Sequence, residues 1–325
     1  PLSILRLVMS GWSSAHTASL LAVSSVSFLA LATLLRRRGE AREALLAKSS
    51  YAAEVRVAVR LALQCGKAMR DCLQKKVDWK DQSSIDPVTQ TDKDNEELVI
   101  AGLRAAFPSH EIIGEESTAA RAAQGLPRAM LTDSPTWIVD PIDGTTNFVY
   151  GIKLSCVSLG FCVGREPVVG VVYDPYADEL FMAAKGEGAY LNGTRLCVHP
   201  VQSLKESMVL FELGYERSQE GLQLILNGLR TLLLSGARAT RTIGTAVLSL
   251  CWVASGRANV YYTGLSGEGG KPWDYAAGTI IAKEAGAKFC NLQGAAFDIE
   301  GPSCLCASSR ELMEEMLLVI QSIKG

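Results

Sequence analysis

Residues Trp137 to Phe148 read WIVDPIDGTTNF. A short apolar strand runs straight into Asp140 and Asp143, followed by a glycine and two threonines. Pro141 fixes its own φ and restrains Asp140 before it. A stiff turn of this kind aims both carboxylates inward and exposes the Ile142 carbonyl. Gly144 lets the backbone approach a bound anion closely. The N–H groups of Gly144 and Thr145 then face phosphate oxygens, especially if a helix starts here. Carboxylates, a carbonyl and amides around one small volume suit a hard divalent cation holding a phosphate. An isolated Asp-Gly pair would read as a polar strand-to-helix turn. The whole string, with Glu115 and Glu116 upstream and Asp274 far downstream, points to metal-assisted phosphate chemistry instead.

Several carboxylates brought together repel one another unless cations neutralise them. Magnesium fits an oxygen-only donor set with open water positions, and two such ions could serve both attack and departure. Asp274, just after Trp273, begins a helical pattern, and Asp92, just after Thr91, comes just before one. Capping alone would explain either residue. Capping and ligation can coexist, because a carboxylate has several acceptor sites.

Outward from this string, helical periods run over Tyr51–Leu73 and Asn95–Ala106, the second with Leu98, Val99, Gly102 and Leu103 inward. Lys75–Thr91 reads as a loop or loose hairpin. Glu111–Gly114 is a short strand that delivers Glu115. Strands follow at Ser155–Val163, Pro167–Tyr173, Glu179–Ala183 and Gly188–Leu191, with a hairpin turn at Asn192-Gly193. The second half alternates strands at Met208–Leu213, Ala258–Tyr262 and Cys304–Ser308 with helices at Gln219–Leu233, Gly244–Ala254, Asp274–Ala285 and Glu311–Ile323. Alternation in both halves predicts an α/β fold of stacked helix and sheet layers.

The chain has 325 residues, enough for a substantial core, and 32 basic against 34 acidic residues leave a net charge of -2. No strong overall field recruits nucleic acid or an anionic membrane. Nine cysteines without a CxxC pair read as buried free thiols in a reducing compartment. Three histidines make a multi-histidine zinc site improbable.

Thr17–Leu35 carries no charge and is followed at once by Arg36, Arg37 and Arg38. At about 1.5 Å per residue, a helix of this length nearly matches a hydrocarbon layer of about 30 Å. The readings are a membrane anchor with a cytosolic catalytic domain, a cleaved targeting peptide leaving a cytoplasmic or organellar enzyme, or a soluble tail. Residues 1–50 are accordingly separated, as a hydrophobic segment and linker, from a catalytic domain over 51–325.

Five motifs carry a resemblance: IGEES at Ile113–Ser117, WIVDPIDGTTNF at Trp137–Phe148, PWDYAAG at Pro272–Gly278, VTQTD at Val88–Asp92 and IGTAVLSL at Ile243–Leu250. On these the chain resembles the inositol monophosphatase family over roughly Tyr51–Ile323. The resemblance implies a layered α/β/α/β/α sandwich, a homodimer, and lithium-sensitive, Mg²⁺-dependent hydrolysis of inositol monophosphate. It implies metal binding by Glu115, Asp140, the Ile142 carbonyl, Asp143 and Asp274. It implies that Thr145, supported by Asp92, orients the attacking water and helps to deprotonate it together with Glu115. Asp143, Gly144, Thr145 and Ala246 are the implied substrate contacts. Where family members often carry a glutamate that contacts inositol hydroxyls, this chain has Thr263, followed by a glycine-rich loop. Glu268 on that loop is the candidate replacement, Lys271 the candidate for a second negative group, and histidinol phosphate, another small monoester or a phosphosugar the alternative substrate.

Overall fold

The computed structural model describes residues 49–72, 76–80 and 85–324. Thr17–Leu35 lies outside them. Helix α1 (Ala52–Asp71) leads to a small hairpin, β1 (Val77–Trp79) and β2 (Pro87–Thr89), and then to α2 (Gln90–Ala106). Strand β3 (Glu111–Gly114), helix α3 (Glu115–Ala123), strand β4 (Thr136–Asp143) and helix α4 (Thr145–Tyr150) follow. A meander then runs through β5 (Cys156–Val163), β6 (Glu166–Asp174), β7 (Glu179–Ala184), β8 (Gly188–Leu191) and β9 (Thr194–Arg195). The second half comprises β10 (Met208–Phe211), α5 (Gln219–Leu234), β11 (Ala239–Arg241), α6 (Ala246–Ala254) and β12 (Val260–Thr263). It closes with α7 (Pro272–Glu284), β13 (Lys288–Cys290), β14 (Cys304–Ala307) and α8 (Arg310–Lys324).

Two sheets form the frame. The larger is ordered β3-β4-β5-β6-β7-β8-β9, and the smaller β11-β10-β12-β14-β13. Helices α1 and α2 cover one face of the large sheet, with Val55, Val59, Val99 and Leu103 packed against Trp137, Val139 and Val171. Helices α6 and α7 fill the space between the sheets, where Leu250, Ile281 and Tyr275 meet Val172, Phe181 and Cys306. Helices α5 and α8 cover the far face of the small sheet through Leu232, Met316 and Ile320. The five expected layers are therefore present. With helices on both faces, β4 is buried along its whole length.

Helix α7 lies close on the large sheet because the strands beneath it carry glycine. A Cβ on Gly160 would come within 2.6 Å of the Ala276 Cβ, and one on Gly170 within 2.4 Å of the Ala277 carbonyl oxygen. This close approach brings the first turn of α7, and Asp274 with it, to the end of β4.

Four expectations need correction. Helix α2 starts at Gln90 rather than Asn95, because Thr89 and Asp92 form a capping box at its N-terminus. Its inner face holds Asp92, Asn95 and Glu96 beside Val99 and Leu103, while Leu98 is exposed. Helix α7 starts at Pro272, so Asp274 occupies its first turn and is not its N-cap. The membrane association and membrane-anchored location are also withdrawn: among the described residues no helix is long and apolar enough to cross a membrane. The structure of this single chain gives the expected homodimer no support either. The cysteines are free as expected; seven of the nine are buried, with Cys72 half-buried and Cys197 exposed.

Candidate active site

The site begins with an irregularity in a strand. Asp140 pairs with Ser158 of β5, and Asp143 with Cys156. One more residue lies between the aspartates than between their partners, so the register shifts at Pro141-Ile142. Regular pleating would put residues three apart on opposite faces of the sheet. The bulge puts both carboxylates on one side, and Pro141, which has no N–H to donate, is tolerated there. The Ile142 N–H donates to Asp140 Oδ1 at 3.0 Å, which tightens the turn.

Gly144 then turns the chain at φ 85° into α4. A side chain there would strike the Leu154 carbonyl oxygen at 2.9 Å. Phe148 is fully buried and anchors this short helix, a burial contributing about 1.5–3 kcal/mol. Thr145, the first helical residue, directs its hydroxyl to Asp92 Oδ1 at 3.2 Å and to the Ile142 carbonyl at 2.9 Å. One proton serves these two acceptors in turn. Asp92 is held by the Thr89 N–H at 2.8 Å and by the Thr89 hydroxyl. The same carboxylate thus starts α2 and supports Thr145.

Asp274 arrives from α7. Its Oδ2 accepts the Lys271 N–H at 2.5 Å. Carboxylate oxygens of Asp140, Asp143 and Asp274 all lie within 4.8 Å of one another. Burial, then the charges of Glu115, Asp143 and Asp274, holds Asp140 well above the usual carboxylate range. Burial, then Asp143 and Glu115, pushes Asp274 up to about 8. Burial pushes Asp143 up to about 6 against the hydrogen bonds from Thr245 and Val247, which act the other way. An oxygen-only trio that resists ionising together fits a hard divalent cation, which would replace the protons the cluster otherwise retains.

Glu115 stands at the start of α3 and borders the cluster, where its charge helps to raise Asp140 and Asp274. It is also paired with a lysine: Lys80 Nζ lies 2.5 Å from Glu115 Oε1 and 2.9 Å from Glu116 Oε1. Burial would lower the Lys80 ammonium, but Glu115, Glu116 and Asp86 outweigh it and raise Lys80 above its ordinary value. Glu96 on α2 caps α3, accepting the N–H groups of Glu116 at 2.8 Å and Ser117 at 2.7 Å.

Asp143 has partners that reading the sequence missed. The Thr245 hydroxyl and the Val247 N–H, at 2.9 Å, both donate to Asp143 Oδ2. The Ala246 N–H also faces Asp143, so this expected substrate contact borders the cluster. The motif IGTAVLSL held the signal, since Thr245 is a threonine N-cap for α6. Lys80 gave no such signal inside a polar, broken stretch. Glu268 is exposed and shares a cleft with Glu212 and Thr263, outside the metal trio.

Residues 51–324 match the profile of the inositol monophosphatase family. The chain is 41% identical over 265 residues to inositol monophosphatase 1 of Solanum lycopersicum, covering 82% of this chain and 93% of that protein. It is 39% identical over 283 residues to inositol monophosphatase 2 of Homo sapiens, covering 86% of this chain and 95% of that protein. Among solved structures, the extragenic suppressor protein suhB of Bartonella henselae superposes with a TM-score of 0.72 at 27% identity, covering 83% of this chain and 98% of that one.

Proposed function

The chain belongs to the inositol monophosphatase family, and we propose that Asp140, Asp143 and Asp274, with Glu115 and the Ile142 carbonyl, form its catalytic metal site. The protein is a Mg²⁺-dependent hydrolase of phosphate monoesters that acts on an inositol-phosphate-like substrate. The convergence of three carboxylates from β4 and α7 beside the Thr145–Asp92 pair carries this reading. The catalytic unit is taken as residues 51–325.

Magnesium, when bound, supplies Lewis-acid stabilisation of charge on the phosphate and the departing oxygen. The chain supplies the rest. Thr145 takes a proton from the attacking water as it passes its own hydroxyl proton to Asp92, so the proton the water loses is matched by the one Asp92 gains. Burial pushes Asp92 up to about 6, a basicity suited to receiving a proton near neutral pH. The N–H groups of Gly144 and Thr145 orient the phosphate, and Ala246 bounds the leaving group beside Asp143. Glu115 helps that transfer by accepting a hydrogen bond from the same water, which orients it toward Thr145. No covalent phosphoenzyme is required, because no residue in this reading acts as the nucleophile.

The test is kcat/KM at fixed Mg²⁺ across inositol 1-phosphate, histidinol phosphate, fructose bisphosphate and phosphoadenosine phosphate, with lithium as inhibitor. Inositol 1-phosphate is expected to lead. A clear preference for histidinol phosphate would displace it as the substrate.

A further inference from the structure

Asp143 comes from the large sheet, but the donors that orient it come from the segment entering α6. That segment is gripped from two sides. The N–H groups of Ile243 and Gly244 donate to Glu212 Oε1 at 3.4 Å and Oε2 at 3.2 Å. From the other side, Asn147 Nδ2 donates to the Ile243 carbonyl at 2.7 Å and to the Leu154 carbonyl at 2.8 Å. One and three residues beyond Gly244, Thr245 and Val247 deliver their hydrogen bonds to Asp143 Oδ2.

We propose that Glu212 is a positioning residue for the metal site: it holds the 243–247 turn, and through Thr245 and Val247 it fixes the orientation of Asp143. The inference rests on the reading of Asp143 as a metal ligand. Glu212 directly follows β10, so it ties the small sheet to a carboxylate carried by the large one. Consecutive backbone N–H groups make an anion-binding concavity, and a carboxylate engages two of them with separate oxygens. A glutamine keeps one such oxygen, an alanine none. Placing a negative side chain near the acidic cluster runs against charge repulsion. The backbone donors it satisfies offset that cost. The partners that orient a metal ligand commonly set its affinity over a 10- to 100-fold range.

The test is calorimetric titration of the substrate-free protein with Mg²⁺ alone, on the unmodified chain and on Glu212→Ala, Glu212→Gln, Glu212→Asp and Asp143→Asn. Glu212→Ala is expected to weaken Mg²⁺ binding about 10-fold or more. Glu212→Asp, whose carboxylate is withdrawn from the turn, is expected to follow it, and Glu212→Gln, which keeps one of the two acceptors, to recover part of the affinity. Folding is checked by circular dichroism and melting in EDTA. If Glu212→Ala does not fold, the ordering of Glu212→Asp below Glu212→Gln carries the test. A lowered melting temperature with an unchanged Mg²⁺ dissociation constant would show a purely structural role and overturn the proposal. If Asp143→Asn bound Mg²⁺ like the unmodified chain, the metal-site reading itself would fail, which is a separate outcome.

Discussion

Lys80 Nζ lies 2.5 Å from Glu115 Oε1, so an ammonium from the β1–β2 hairpin sits against a proposed metal ligand. Both side chains are largely buried, at 9% and 17% exposure. Removing one partner of a buried ion pair leaves the other uncompensated, at a cost of about 3–5 kcal/mol. Lys80→Gln is therefore expected to lower the melting temperature in EDTA and to enlarge the rise that Mg²⁺ produces. Scanning calorimetry with and without Mg²⁺ checks this. An equal Mg²⁺-driven rise in both proteins would show that Lys80 does not balance the acidic site.

Asp140 is 1% exposed and central to the carboxylate trio. An amide is a poor ligand for a hard cation. Asp140→Asn is expected to lower turnover by more than about 100-fold, beyond what loss of a ligand's outer partners produces. The fold should persist, since an amide relieves charge repulsion within the cluster. Phosphate release and circular dichroism test the two halves. Near-normal turnover in folded protein would remove Asp140 from the mechanism.

Thr145→Val removes the hydroxyl that joins Asp92 to the Ile142 carbonyl while keeping the side-chain shape. Loss of a proton-transfer group of this kind is expected to reduce kcat by about 100-fold or more. Mg²⁺ binding should change little, and Thr145→Ser should restore much of the rate. Parallel kcat and Mg²⁺-titration measurements separate these effects. A Thr145→Val enzyme with unaltered kcat contradicts the relay.

Asp274 is pushed up to about 8 and Asp143 to about 6, against an ordinary aspartate value of 3.8. Glu116 is likewise pushed up to about 8, by burial and then by Glu115. Between the ordinary values and about 8, the metal-free folded protein holds protons that the unfolded chain has released. Stability from these groups is thus complete at low pH and is lost as pH rises toward the folded values. The melting temperature in EDTA is expected to fall by several degrees from about pH 5 to about pH 8.5. Saturating Mg²⁺ should flatten that slope by taking the place of the protons. A metal-free melting temperature that climbs over this window would contradict the raised carboxylates.

Much of this could be read along the chain. WIVDPIDGTTNF announced a strand, a stiff turn and two inward carboxylates, because those features depend on residues a few positions apart. Glu111–Gly114 and Gly188–Leu191 were legible as strands from local pattern. Helix α2 was misread where the pattern was polar. Asp92, Asn95 and Glu96 are buried because they face the site, and hydrophobic periodicity assigns such residues to solvent. Helix α3 was missed for a related reason, since its nine residues bury only Thr118 and leave a weak apolar stripe.

Sequence by itself determined the chemistry available: which side chains are hard oxygen donors, where the backbone must bend at Pro141 and Gly144, and that helices and strands alternate in layers. Tertiary structure alone decided the meetings. Lys80 reaches Glu115, Thr245 and Val247 hold Asp143, and Glu212 grips the backbone just before Thr245. Backbone preferences are set by neighbours in the chain and so are written locally. The distance between charges carried by different sheets is set by how those sheets pack, and no local pattern encodes it.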